Sequence, residues 1–200
     1  MYMEKVAILI FDNFETLDVF GPVEIFGILK EFYAVTFYSL PGGLVSNTHG
    51  VTITTEKLEC IKDGVPIFLI PGGYGTREAV NNNLLLHTLS DIAQQSTYVL
   101  TVCTGSGLLA KTGLLNGKKA TSNKRAFEWA MLQGEEVHWI KKARWVVDGK
   151  FYTSAGVSAG MDMVFGFLHD RHGIDFARKI AYQIEYTWQE DKEADDFFDQ

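Results

Sequence analysis

The sequence predicts an α/β fold in which a mostly parallel central sheet lies between layers of helices. Short unbroken apolar runs recur along the chain, as strands buried on both faces of a parallel sheet do. Helix-length segments separate these runs, and glycine-rich turns mark the joints. With 46% hydrophobic residues among 200, a single domain spanning 1–200 has enough apolar material for a full core.

Val6–Phe11 is the first such run and ends at Asp12–Asn13. Leu17, Phe20, Val23 or Glu24, and Ile28 then recur near helical spacing, with Pro22 expected in or near the first turns, where its missing N–H matters least. Val35–Leu40 reads as a second strand, and Gly42–Gly43 and His49–Gly50 bracket a hairpin that includes Val51–Thr55. Ile67–Ile70 is a short buried strand running into Pro71–Gly72–Gly73–Tyr74–Gly75, a loop too rich in glycine for a regular element. Leu84–Gln95 is helical by pattern, Tyr98–Val102 is a strand, and Gly105–Lys111 is a helix stopped by Gly113. A short strand around Lys119–Thr121, a helix over about Lys124–Leu132 and the strand Val137–Ile140 follow. Asp148–Gly149 turns Arg144–Val147 back onto Lys150–Ser154 as a hairpin. Helices over about Ser158–His172 and Ile174–Glu185 close the fold, and the acidic stretch Glu190–Gln200, with Phe197–Phe198 as its packing residues, is expected to be partly mobile.

A net charge of −7 and a pI near 5.2 exclude nucleic acid and anionic membrane as partners, because no basic face is dense enough to balance phosphate. The pairs Lys118–Lys119, Lys124–Arg125 and Lys141–Lys142 read as solvated surface. No apolar run approaches the roughly 20 residues that span a bilayer. Met1–Tyr2–Met3–Glu4–Lys5 leads into the first strand without the features of a signal peptide, which points to the reducing cytoplasm and to free thiols rather than a disulfide.

Of the two cysteines, Cys103 carries the chemical signal. Val102–Cys103–Thr104–Gly105–Ser106–Gly107 has the form of a nucleophile elbow, a tight strand-to-helix turn that lifts a reactive side chain above the sheet. Gly105 and Gly107 leave room for that turn, and the following helix start directs unpaired N–H groups at the sulfur, which should lower the thiol pKa from its usual value of about 8.5. Cys60 lies in no such turn and reads as structural. None of the five histidines is adjacent to Cys103 or spaced for metal binding, so neither a Cys-His dyad nor a metal is expected.

Glu15 and Asp18 follow the first strand, at the same sheet edge as the elbow, and either is placed to reach the sulfur. An ionised carboxylate would repel a thiolate, whereas a protonated one would donate to it and then act as general acid, so a coupled pair with a raised carboxyl pKa is expected. Backbone N–H groups of Pro71–Gly75 are candidates for an oxyanion hole, since glycine lets the main chain approach a developing charge.

Four segments together resemble the ThiJ/PfpI superfamily over about residues 4–185: Leu17–Asp18–Val19–Phe20–Gly21–Pro22, Ile70–Pro71–Gly72–Gly73–Tyr74–Gly75, Val102–Cys103–Thr104–Gly105–Ser106 and Ser154–Ala155–Gly156–Val157–Ser158–Ala159–Gly160–Met161–Asp162. The Leu-Asp, Gly-Pro and Cys-Thr-Gly-Ser pairings are most similar to isonitrile hydratases and to the sensor domains of AraC-type regulators. The resemblance implies a flavodoxin-like three-layer sandwich and a homodimer acting on a small-molecule substrate without a cofactor. It also implies Cys103 as nucleophile, Asp18 as its acidic partner, Thr104 as an orienting hydroxyl, and Gly72 and Gly73 as backbone donors to substrate. Thr104 stands where protease and chaperone-like members carry histidine, and Asn123 where the isonitrile hydratases do. Besides hydration through a thioimidate on Cys103, the resemblance leaves open a non-catalytic sensor and a cysteine hydrolase or glyoxalase/deglycase-like activity.

Overall fold

Side-chain alternation along the first strand divides the molecule into layers. In the computed structural model, which describes residues 3–199, Val6 and Ile8 of β1 (Glu4–Leu9) enter one apolar core while Ala7 and Leu9 enter another on the opposite face. The first core is closed by α1 (Thr16–Ile28), α6 (Ala159–His172) and α7 (Ile174–Gln183), through residues such as Phe26, Phe165, Phe167 and Ile180. The second is closed by α3 (Asn83–Gln95) and α4 (Gly105–Lys111), through Leu85, Leu89, Leu108 and Leu109. Both faces of β1 are thus dry from Val6 onward, which is why Val6–Leu9 is continuously apolar rather than alternating.

The remaining strands are β2 (Tyr33–Ser39), β3 (Gly43–Ser46), β4 (Thr52–Lys57), β5 (Ile67–Ile70), β6 (Tyr98–Val102), β7 (Lys119–Ala120), β8 (His138–Trp139), β9 (Trp145–Asp148) and β10 (Phe151–Ser154). Eight strands form one sheet in the order β3-β4-β2-β1-β5-β6-β10-β9. Its inner pairings are parallel, and only the outermost hairpins, β3 with β4 and β9 with β10, are antiparallel. The strand order reverses direction at β1, so the crevice at the carboxyl ends of β1 and β5 is where this topology gathers a ligand.

Several expectations need correction. A four-residue helix, α2 (Thr76–Ala79), follows the glycine loop and is too short to show a period in sequence. The segment expected as one helix over Lys124–Leu132 is a 3₁₀ turn, Lys124–Ala126, joined to α5 (Phe127–Met131). Lys119–Thr121 and Val137–Ile140 shorten to β7 and β8, which pair with each other outside the main sheet. Pro22, by contrast, falls in the second turn of α1, within the early turns expected of it. Cys60, read as structural, is exposed at the end of a 3₁₀ turn whose buried residue is Leu58.

The acidic tail departs furthest from expectation. It folds back, burying Asp195 to 3% exposure against Lys124 Nζ at 3.4 Å and Arg144 Nη1 at 3.8 Å. Arg144 is held in turn by Asp162 at 2.7 Å. Lys124, expected on a solvated surface, is therefore buried, and the apolar surroundings lower its pKa while Asp195 opposes that shift. Phe197 and Phe198 lie over Arg144 and Lys142. Met1, Tyr2 and Gln200 lie outside the described residues.

Two stability measurements test this packing. Asp195→Ala leaves two buried cations without their shared counter-ion and is expected to cost about 3–5 kcal/mol by urea denaturation. Gly27→Ala, at an exposed helical position where an added Cβ meets nothing within 4 Å, is expected to add about 0.4–1 kcal/mol.

Candidate active site

Four adjacent parallel strands, β1, β5, β6 and β10, deliver one functional segment each from their carboxyl ends. Asp18 comes from the helix after β1, Gly72 and Gly73 follow β5, Cys103 follows β6, and Gly156 follows β10. The loops after β1 and β5 are stitched together: Phe14 bridges Gly73, Glu15 N–H donates to Gly72 O at 2.9 Å, and Gly75 N–H donates to Asn13 O at 3.2 Å. At Gly73, with φ of +124°, a Cβ would come within 2.4 Å of Asn13 O, so this join demands glycine.

Cys103 occupies the elbow with φ of +58°, a left-handed conformation that costs a non-glycine residue about 1–2 kcal/mol. Its peptide groups are clamped in compensation. The Cys103 N–H donates to Ser154 O at 3.2 Å, and the Cys103 carbonyl accepts from the hydroxyls of Ser106 and Ser122, each at 3.0 Å. Gly105 lets the elbow lie on the loop after β5, since a Cβ there would reach Ile70 O at 2.3 Å. Gly156 backs the cysteine from the other side, where a Cβ would sit 2.8 Å from that of Cys103.

The side chain of Cys103 is 7% exposed and faces Asp18, which is fully buried. Asp18 Oδ2 accepts the Gly72 N–H at 2.9 Å, while Oδ1 has no hydrogen-bond partner. Burial raises the Asp18 carboxyl well above the usual carboxylate range; the Gly72 N–H opposes that, Glu15 adds a further push upward, and the Cys103 contact pulls down. Burial likewise raises the Cys103 thiol, and the Asp18 charge raises it further, against the opposing N–H and hydroxyl of Thr104. This reverses the lowered thiol pKa expected from the elbow. The helix behind Thr104 is only two turns long, and its N–H groups do not outweigh dehydration and a facing carboxylate. The two acids titrate as a coupled pair that keeps a proton at neutral pH.

Asp18, rather than Glu15, is the carboxylate at the sulfur; Glu15 is the residue before the first helical turn. Gly72 and Gly73 differ from the expected free donors. Their N–H groups are occupied, by Asp18 Oδ2 and by Thr104 Oγ1 at 3.1 Å, so they position the acid and the hydroxyl. Asn123 caps the 3₁₀ turn through the Ala126 N–H at 3.2 Å. Among the described residues no histidine ranks with the main influences on the sulfur; His49 and His172 are engaged with Thr16 and Tyr33. A cavity of about 180 Å³ adjoins the wall behind Cys103, lined by Asn123, Arg125, Arg144, Gly156, Asp195 and Phe197. Sequence reasoning missed Thr76, Ser122 and the tail's part in this wall.

A mostly parallel α/β sandwich carrying a buried cysteine on a strained strand-to-helix elbow, faced by a protonatable carboxylate, defines a class of protein. The chain belongs to the DJ-1/PfpI family, whose sequence pattern matches residues 4–170. It is 28% identical over 185 residues to isonitrile hydratase from Pseudomonas putida, covering 92% of this chain and 78% of that one. It is 26% identical over 181 residues to the HTH-type transcriptional regulator CdhR from Pseudomonas aeruginosa, covering 88% of this chain but only 53% of the regulator. A deglycase from Thermococcus kodakarensis is 28% identical over 152 residues, 75% of this chain and 89% of the deglycase. Among solved structures, a ThiJ/PfpI family protein from Pseudomonas syringae superposes with a TM-score of 0.80 at 27% identity, covering 93% of this chain and 76% of that one.

Replacing Asp18 by Asn removes the charge that opposes thiolate formation, so iodoacetamide should alkylate Cys103 with a lower apparent pKa and several-fold faster at pH 7. An unchanged or raised pKa would contradict the coupling. The folded state also retains the Asp18 proton above the pH, about 4, at which an unfolded chain releases it. That contribution to stability is present below the unfolded pKa and lost as pH rises through the folded one. The melting temperature of wild type relative to Asp18→Asn should therefore fall as pH is raised from about 4.

Proposed function

We propose that this chain is a cysteine-dependent, cofactor-free hydro-lyase that converts an isonitrile into the N-substituted formamide. The observation carrying the proposal is the buried pair of Cys103 and Asp18, both biased by burial toward their protonated forms beside the Thr104 hydroxyl. The terminal carbon of an isonitrile both accepts a proton and takes a nucleophile, which is what such a pair supplies. Similarity to isonitrile hydratase supports the choice.

In this mechanism the Cys103 sulfur forms a bond to the terminal carbon, Asp18 gives that carbon its proton, and the thiol proton replaces the one Asp18 has lost. The product is a thioimidate, Cys103–S–CH=N–R. Water adds to the same carbon, one of its protons going to nitrogen. The C–S bond then breaks, sulfur takes the bonding pair and the hydroxyl proton by way of Asp18, and R–NH–CHO leaves. Thr104 donates to the sulfur or to the departing group. The same reading takes one domain spanning 1–200, working as a homodimer in the cytoplasm on a small molecule, without nucleic acid or membrane. Among the described residues no helix is long and apolar enough to cross a membrane, and both cysteines are free.

A ligand-binding sensor is the second reading. It is favoured by the N–H groups of Gly72 and Gly73, which are already occupied rather than free to meet a developing charge, and by similarity to CdhR.

Incubation with an aliphatic isonitrile should give the formamide, followed by proton NMR, with turnover abolished in Cys103→Ala and lowered about 100-fold in Thr104→Val. Wild type and Cys103→Ala equally inert would overturn the hydratase assignment. Consumption of methylglyoxal instead would replace it with the deglycase-like alternative, and saturable binding without turnover of either compound would favour the sensor.

A further inference from the structure

Thr104 follows Cys103 directly and its hydroxyl favours the charged sulfur, but the direction of its hydroxyl proton is decided by residues with no part in the mechanism above. Thr76, fully buried at the start of α2, places its hydroxyl 3.1 Å from Thr104 Oγ1 and 2.7 Å from Gly73 O. The next residue, half-buried Arg77, donates from Nη1 to Thr76 Oγ1 at 2.9 Å. Its guanidinium lies on the Trp129 ring at 4.2 Å, which fixes it in place.

Counting lone pairs limits where the Thr104 proton goes. Thr104 Oγ1 already accepts the Gly73 N–H at 3.1 Å. The Thr104 hydroxyl is within donating distance of Gly73 O at 3.3 Å, but that carbonyl also takes the Thr76 hydroxyl at 2.7 Å, the Thr76 N–H at 3.2 Å and Arg77 Nη1 at 3.3 Å, which leaves it a crowded and poor acceptor. The better acceptors for the Thr104 proton are Thr76 Oγ1 and the Cys103 sulfur. The charge-assisted bond from Arg77 draws electron density from Thr76 Oγ1 and makes it the poorer acceptor.

We infer that Thr76 and Arg77 are positioning residues that steer the Thr104 hydroxyl proton onto the Cys103 sulfur once that sulfur is negative. Neither residue touches the reacting atoms. They act through Thr104, giving a buried thiolate a directed donor where, among the described residues, no cation ranks with the main influences on it. The other charged groups acting on the sulfur are Asp18 and Glu15, both of which oppose its ionisation, so the donor from Thr104 works against two carboxyl groups.

The inference rests on Cys103 as the reactive thiol but not on isonitrile as substrate, and the experiment separates the two. The full chain is alkylated with iodoacetamide across pH, in wild type, Thr76→Val, Thr76→Ser and Arg77→Met. Met keeps an apolar contact with Trp129 while removing the donor. Thr76→Val takes the 2.7 Å hydroxyl donor away from Gly73 O and so opens that carbonyl to the Thr104 proton, while Arg77→Met makes Thr76 Oγ1 the better acceptor; each should raise the apparent thiol pKa by about one unit, the size of one weakened bond to a charged acceptor, and slow alkylation about tenfold at a fixed pH below it. Thr76→Ser should restore the wild-type profile. Where the isonitrile is turned over, the same two variants should lower kcat with little change in KM. Wild-type pH profiles in both Arg77→Met and Thr76→Val, each with native circular dichroism, would overturn the inference. If Thr76→Val fails to fold, Arg77→Met decides alone. A shifted profile in a protein that leaves isonitrile untouched would sink the hydratase reading and leave this one standing.

Discussion

The 2.9 Å hydrogen bond from the Gly72 N–H to Asp18 Oδ2 joins the loop after β5 to the helix after β1, and the site's chemistry depends on that join. It holds a buried carboxyl at the sulfur with one oxygen engaged and the other unpartnered. A carboxyl so placed is pulled two ways, since dehydration favours the neutral form and the N–H favours the charged one. The result is a carboxyl biased toward its neutral form in a site almost closed to bulk water. No residue with a Cβ fits at position 72, where that atom would lie 2.6 Å from the Thr104 nitrogen and 2.9 Å from Asp18 Oδ2.

Around that bond the molecule trades backbone comfort for approach. The left-handed Cys103 is tolerated because its N–H and carbonyl are hydrogen-bonded by Ser154, Ser106 and Ser122, while Gly105 and Gly156 let neighbouring main chain lie against it. The strain is supported by three separate strands, so the cysteine cannot relax without disturbing β5, β6 and β10 together. The sulfur consequently meets Asp18 and Thr104 in a fixed arrangement.

Much of this was legible in the sequence, because continuous apolar runs such as Ile67–Ile70 and Tyr98–Val102 belong to strands covered on both faces, and Cys-Thr-Gly-Ser-Gly marks a turn that few other patterns make. The same reading placed Asp18 and Cys103 at one sheet edge. What escaped it depended on contacts distant in sequence. The direction of the thiol pKa turns on how far burial outweighs two turns of helix, which local pattern does not encode. The N–H groups of Gly72 and Gly73 looked free until Asp18 and Thr104 were seen to occupy them. Thr76 sits in a helix too short to register as one, and Lys124 looks like surface charge until Asp195, 71 residues further on, is folded against it.

That last contact bears on how the protein should be handled. The backbone at Glu4 emerges from the amino end of β1, across the sheet from the cysteine, whereas the tail runs from Asp195 directly into the cavity wall shared by Asn123 and Gly156. A purification tag, surface tether or reporter attached past residue 199 therefore pulls on the counter-ion of Lys124 and Arg144. The same attachment ahead of β1 hangs from the quiet end of the molecule.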